Sequence, residues 1–209
     1  MTAPAPPFAV HIADGVLTAP WQTGGFVVLA AGVALALLKI DEREIPRVGV
    51  LTAAFFVASQ FHIPFGVISV HLLLNGLVGV ILGYRAPLAI AVGLTLQTLL
   101  FAHGGWGSLG VNFAVLAVPA VLAGIGYRLL ARRVSPFVGG LLMGLATAAL
   151  TVLLNAAVLY FGSVDPTGLV AGVSLVAHLP VIVLEGVGVG FACRVLAKAK
   201  PEWLGVPSA

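Results

Sequence analysis

The chain has 209 residues, 60% of them apolar and 8% charged, with a mean hydropathy of +1.15. An ordinary soluble domain carries about 25% charged residues, so this composition excludes one and predicts an integral membrane protein. The net charge of +3 and the pI near 9.4 come from only ten Lys and Arg. They flank apolar runs and read as topology markers, and no nucleic-acid partner is expected.

Residues 1–10, "MTAPAPPFAV", contain no Lys or Arg and no apolar core of signal-peptide length. Residues 1–21 are therefore read as an extracytoplasmic tail of the mature protein. His11 opens the stretch "HIADG", in which Asp14 and Gly15 form a common turn pair. Seven apolar runs follow, at about 23–40, 48–61, 66–84, 86–102, 109–131, 137–162 and 169–197. Their lengths bracket the ~20 residues that span a bilayer. Twenty-six glycines favour closely packed helices over an alternating β-barrel. The expected architecture is an all-α membrane protein, a bundle of about seven transmembrane helices over 22–200 with a cytoplasmic tail at 201–209.

Seven spans would put Lys39, Arg43 and Arg47 in the first connection and Arg85 in the third. Arg128, Arg132 and Arg133 would fall in the fifth, and Arg194, Lys198 and Lys200 at the end. All ten cations then share one side. The positive-inside rule makes that side cytoplasmic and the N-terminus external. A multi-pass protein of the cell's inner (cytoplasmic) membrane is expected.

The same topology turns His11, His62, His71, His103 and His178 toward the outer side, with Asp14 and Asp165. Neutral imidazole is a common ligand for divalent transition metals, and that pattern suits capture of one. His62 and His178, taken singly, read as interfacial hydrogen-bonding residues. His71 lies inside an apolar run, where an ionisable group faces a cavity more readily than lipid. Glu185 is the one acidic residue inside a span, about two helical turns deeper than His178. It is assigned to helix packing or a conformational pathway. Asn75, Gln97, Asn112 and Asn155 are expected to hydrogen-bond between helices.

Small residues four apart, including Ala54 and Ala58, Gly79 and Gly83, Gly140 and Gly144, and Gly186 and Gly190, predict close helix contacts. No P-loop or dinucleotide fingerprint occurs, so no bound nucleotide is expected. The chain reads as a transporter subunit and not an enzyme, with any ATP hydrolysis on another chain.

Three stretches carry a family resemblance: "HIADGVLTAPW" from His11, "LLFAHGGWGSLGVN" at 99–112, and "AHLPVIVLEGVGVGFACRVLAKAKPEWL" at 177–204. Together with His71, they resemble in order the CbiM/NikM family. These are the substrate-binding membrane components of energy-coupling factor transporters for nickel and cobalt, a family linked to cobalamin biosynthesis. The resemblance implies a metal site built from the N-terminal amine, the backbone nitrogen and imidazole of the adjacent histidine, and a second histidine at the start of the third helix. The two histidines map onto His11 and His71. Planar nitrogen donors of this kind suit Ni(II).

Val10 stands where the family's terminal methionine stands, and as an internal residue it has no free amine. Trimming of the tail, a deprotonated Val10 amide or another group would complete the set. Before the second histidine, "GVISVHLLLNG" keeps Ser69 but has bulky Val70 where the family carries small polar residues. Asp14, Ser69 and Glu185 are expected to support the site, Asp14 by holding the tail.

The resemblance further implies that Ni(II) or Co(II) is the transported substrate. It implies a transmembrane coupling protein, a pair of cytoplasmic ATPases and a small accessory membrane subunit as partners. Ala54 and Ala58 are assigned to the coupling-protein contact. Two other readings compete: a family-derived scaffold whose metal site is lost or plugged by the proline-rich tail, and a component for an organic substrate.

Overall fold

Seven α-helices and one β-hairpin form among the described residues of the computed structural model: α1 (Ala19–Leu37), α2 (Ile45–Ala58), β1 (His62–Phe65), β2 (Ile68–His71), α3 (Asn75–Leu82), α4 (Ala86–Phe101), α5 (Leu109–Leu130), α6 (Pro136–Gly162) and α7 (Gly168–Ala199). The described residues are 11–38, 40–65, 68–164 and 168–205, with backbone alone at 62–65, 68–70 and 168–171. Proline sits in the first two positions of α1, α2, α4 and α6. Its fixed φ suits a helix start, and its missing N–H would have no intrahelical acceptor there.

Among the described residues five stretches are long and apolar enough to cross a membrane: 19–37, 75–101, 109–130, 136–162 and 172–199. The expectation from hydropathy was seven. With 14 residues, α2 is ~21 Å long, short of a ~30 Å hydrocarbon core. The stretch 75–101 joins α3 to α4 through a 3-10 turn at Gly83–Arg85, where Gly83 has φ +58°. Large apolar side chains such as Val27, Leu35, Leu129, Phe161 and Val195 point outward and stay exposed, as helices facing hydrocarbon require.

The third expected span, 66–84, is not one helix. It begins as β2, which pairs antiparallel with β1 in the register His62↔His71 and Phe65↔Ile68, and becomes helical only at Asn75. The strand carries β-branched Ile68 and Val70, and Leu74 turns through φ 48°. Hydropathy reports burial, and an apolar run this short fits either period. The architecture is therefore helical with one hairpin, and His71 ends a strand instead of starting a helix. At the expected domain boundary, α1 begins at Ala19, inside the stretch read as a tail of 1–21. At the other end, Leu204 is buried with Val80, Ala123, Tyr127, Val189 and Cys193, so part of the expected C-terminal tail packs on the bundle.

The core centres on α3, where seven of eight residues are buried. Short or interrupted helical backbone survives at membrane depth when protein encloses it, and α3 meets α2, α4, α5, α6 and α7. A Cβ on Gly79 would collide with the Ala120 carbonyl, so glycine there sets the α3–α5 separation. Gly25 and Gly110 likewise bring the α1 and α5 backbones together, attaching an outer helix whose other buried residue is Ala36. Gly144 against Gly186 does the same for α6 and α7. The expected coupling face fares differently: Ala58 is buried and Ala54 half-buried, while Val50 and Val57 form the exposed side of α2.

Candidate metal centre

The segment after His11 is tied to the N-terminal end of α5. Ile12 N donates to Asn112 Oδ1 at 2.8 Å, and Asn112 Nδ2 donates back to Ile12 O at 3.0 Å. Ser108 Oγ also donates to Ile12 O, at 2.6 Å. Asp14 Oδ1 accepts from Ser108 N at 3.0 Å, placing a carboxylate at the positive end of a helix. Further along, Thr18 N donates to Gly162 O and Val164 N to Val16 O, both at 2.9 Å.

The stretch "HGGWG" makes room for this docking. A Cβ on Gly105 would strike the Asp14 carboxylate. At Gly104, with φ +76°, a Cβ would lie 3.0 Å from Asn112 Nδ2 and 3.5 Å from His11 Cβ. Gly105 thus leaves room for the Asp14 carboxylate and Gly104, in its left-handed conformation, for the Asn112 amide, so the loop lies close to the tail.

This docking leaves the His11 ring 5.0 Å from the His71 ring, centroid to centroid, at an interplanar angle of 35°. His103 joins them, its ring 6.1 Å from that of His11. His11 is 6% exposed and His71 1%. His71 Nδ1 lies 3.0 Å from Leu72 O. A proton donated there fixes the tautomer whose lone pair sits on Nε2, the usual arrangement of a metal-ligating histidine. Among the described residues no three His, Cys, Asp or Glu are already drawn tightly around one ion position.

The chain beyond His71 is anchored from α7. Glu185, 3% exposed, accepts hydrogen bonds at Oε1 from Leu73 N at 2.5 Å and Leu74 N at 2.9 Å. The buried carboxylate satisfies two amides that neither strand nor helix could pair. Next along, Asn75 Nδ2 donates to Leu116 O at 3.1 Å and Thr151 Oγ1 at 2.8 Å. His178 is buried with Nδ1 2.6 Å from Ser174 O, a contact within its own helix.

The cations gather elsewhere. Arg85 pairs with Glu44, and the Arg128 guanidinium lies against Gly83. Arg128 is sixteen positions after Asn112 in α5, about 24 Å along the axis. The His11–His71–His103 cluster and Arg128 thus lie toward opposite ends of α5. Besides the imidazole cluster, an apolar cavity of about 450 Å³ opens between α1, α5 and α6, bordered by Trp21, Val28, Val111, Val115 and Leu154. Among the described residues none that lines it is charged.

Of the residues expected at the site, the structure draws His11 and His71 together and sets Asp14 and Glu185 on the backbones that carry them. Val10 and Asp165 lie outside the described residues, as do the Ser69 and His62 side chains. Sequence reasoning gave no site role to His103, Ser108 or Asn112, although all three fall inside the "LLFAHGGWGSLGVN" stretch.

Residues 11–203 match the model of the CbiM family, described as the cobalt uptake substrate-specific transmembrane region. A Haemophilus influenzae protein named for metal transport is 34% identical over 198 residues, covering 92% of this chain and 96% of its own. The cobalt transport protein CbiM of Sorangium cellulosum is 32% identical over 214 residues, covering 93% of this chain and 94% of its own. In three dimensions the fold is similar to a crystal structure of a truncated transition metal transporter, with a TM-score of 0.72 over 90% of this chain and 99% of that one, at 24% identity.

Proposed function

The chain belongs to the CbiM family, multi-pass membrane components of cobalt and nickel transport, and from that premise we propose that it is the substrate-capture subunit of an ATP-driven energy-coupling factor importer. It takes Ni(II) or Co(II) at the outer face of the inner membrane through the imidazoles of His11 and His71. The observation that carries this reading is the 5.0 Å approach of two histidine rings sixty residues apart in sequence.

Orientation follows from charge. With the cation-rich end cytoplasmic by the positive-inside rule, the histidine end faces outward and the ion enters from outside. Seven crossings, the C-terminus inside, would satisfy that rule, with α2 and the protein-enclosed α3 crossing as short helices. Release then requires reorientation by a transmembrane coupling protein and two cytoplasmic ATPases, assisted by a small accessory membrane subunit. The organic-substrate reading has less support, because the apolar cavity offers no charged group to orient a polar vitamin-like ligand.

The test is Co(II) accumulation in cells stripped of their own uptake system. The chain with coupling protein and ATPase pair should accumulate metal, and His71→Ala should abolish it. Equal accumulation in that variant, or by the chain without ATPases, would contradict the reading.

A further inference from the structure

We infer that His103 is a third imidazole ligand of the captured ion, completing a site with His11 and His71. This rests on the metal-capture reading and adds a residue to it. With metal–nitrogen bonds of ~2.0–2.1 Å, an imidazole centroid stands about 3.2 Å from the metal, so two co-ligating rings are separated by about 4.5 Å when cis and about 6.4 Å when trans. The His11–His71 separation of 5.0 Å and the His11–His103 separation of 6.1 Å both lie inside that interval. In the conformation seen, no three such side chains among the described residues are arranged to hold an ion, so the imidazoles must turn to bring their nitrogens together.

The loop is built to hold His103 there. Ala102 adopts φ 52° and Gly104 φ +76°, so His103 sits between two left-handed residues at the crest of a tight turn. Its backbone is fixed by its own N–H to Gln97 O at 3.2 Å and by Thr98 Oγ1 donating to His103 O at 3.1 Å. Left-handed backbone at a non-glycine residue is costly and persists where surrounding structure enforces it. Both bonds are made by the backbone N–H and carbonyl of His103, so a change of side chain does not itself remove them.

The experiment is a Ni(II) titration of the full-length chain in detergent, wild type beside His11→Ala, His103→Ala and His103→Gln, with nickel-edge X-ray absorption counting imidazoles. A third ligand predicts three imidazoles in the wild type and two in either His103 variant. It also predicts an affinity loss of more than about tenfold, the lower bound for disturbing even a supporting group. His103→Gln, which keeps a polar side chain on the turn, guards against a folding artefact in the alanine variant. Two imidazoles in the wild type and unchanged affinity in both His103 variants would overturn the inference while leaving capture by His11 and His71 standing. Absence of nickel binding by the wild type would overturn both.

Discussion

The Glu185 carboxylate of α7 accepts the backbone N–H groups of Leu73 and Leu74, two and three residues beyond His71. A side chain on the last helix therefore fixes the turn that follows a candidate metal ligand. Any movement of α7 relative to α3 would pass directly to His71.

Replacing Glu185 with Ala should leave two buried amides unsatisfied, at about 1–3 kcal/mol each, and loosen the His71 turn. Nickel affinity should fall roughly 10–100-fold, the range for lost supporting groups. Glu185→Gln retains an acceptor oxygen and should lose less. Thermal unfolding in detergent and metal titration check the two effects, and equal behaviour of both variants would argue against the hydrogen-bonding role.

Asn112 clamps Ile12 by two hydrogen bonds, so Asn112→Ala should release the tail while sparing the bundle. Limited proteolysis should cut before Trp21 faster than in the wild type, with helical content unchanged and metal affinity reduced about tenfold or more. Wild-type affinity with a cleavable tail would separate tail docking from capture.

Gly79 allows α3 to rest on the Ala120 backbone. Gly79→Val should drive the helices apart and destabilise the fold by about 1–3 kcal/mol or more, the cost of overpacking. Gly188, with nothing within 4 Å of an added Cβ, should tolerate alanine with little change. Melting temperatures of the two variants test the contrast.

Arg85 is 7% exposed and pairs with Glu44, joining the turn after α3 to the connection before α2. Glu44→Gln should remove a charged partner of the buried guanidinium and lower the melting temperature, whereas Lys200→Gln, whose pair with Glu202 is solvent-exposed, should not. Equal effects would mean that the Arg85–Glu44 pair contributes no more than a surface one.

Much of this was legible in the sequence because hydropathy and charge act over whole segments. Five of the seven apolar runs became α-helices of sixteen residues or more, and the glycine pairs of α6 and α7 marked a real backbone approach. His11, His71 and Asp14 stood out as polar groups beside or within apolar runs. The hairpin did not, since "GVISVHLLLNG" is as apolar as a helix, and only the Leu74 turn and its acceptor on α7 break the period. Ala58 was placed on a partner face because four-residue spacing gives a stripe without saying which way it points. His103 went unassigned because its nearness to His11 depends on a turn ninety residues downstream, and a one-dimensional pattern holds no such distance. Glu185 could be ranked by depth along its helix, but its hydrogen-bond partners lie 112 and 111 positions away.

The most direct measurement is calorimetric titration of the purified, mass-verified intact chain with Ni(II), beside His11→Ala. Capture by His11 and His71 predicts one-to-one binding in the intact chain and its loss in the variant. No binding by the intact chain, or equal binding by both, would contradict it.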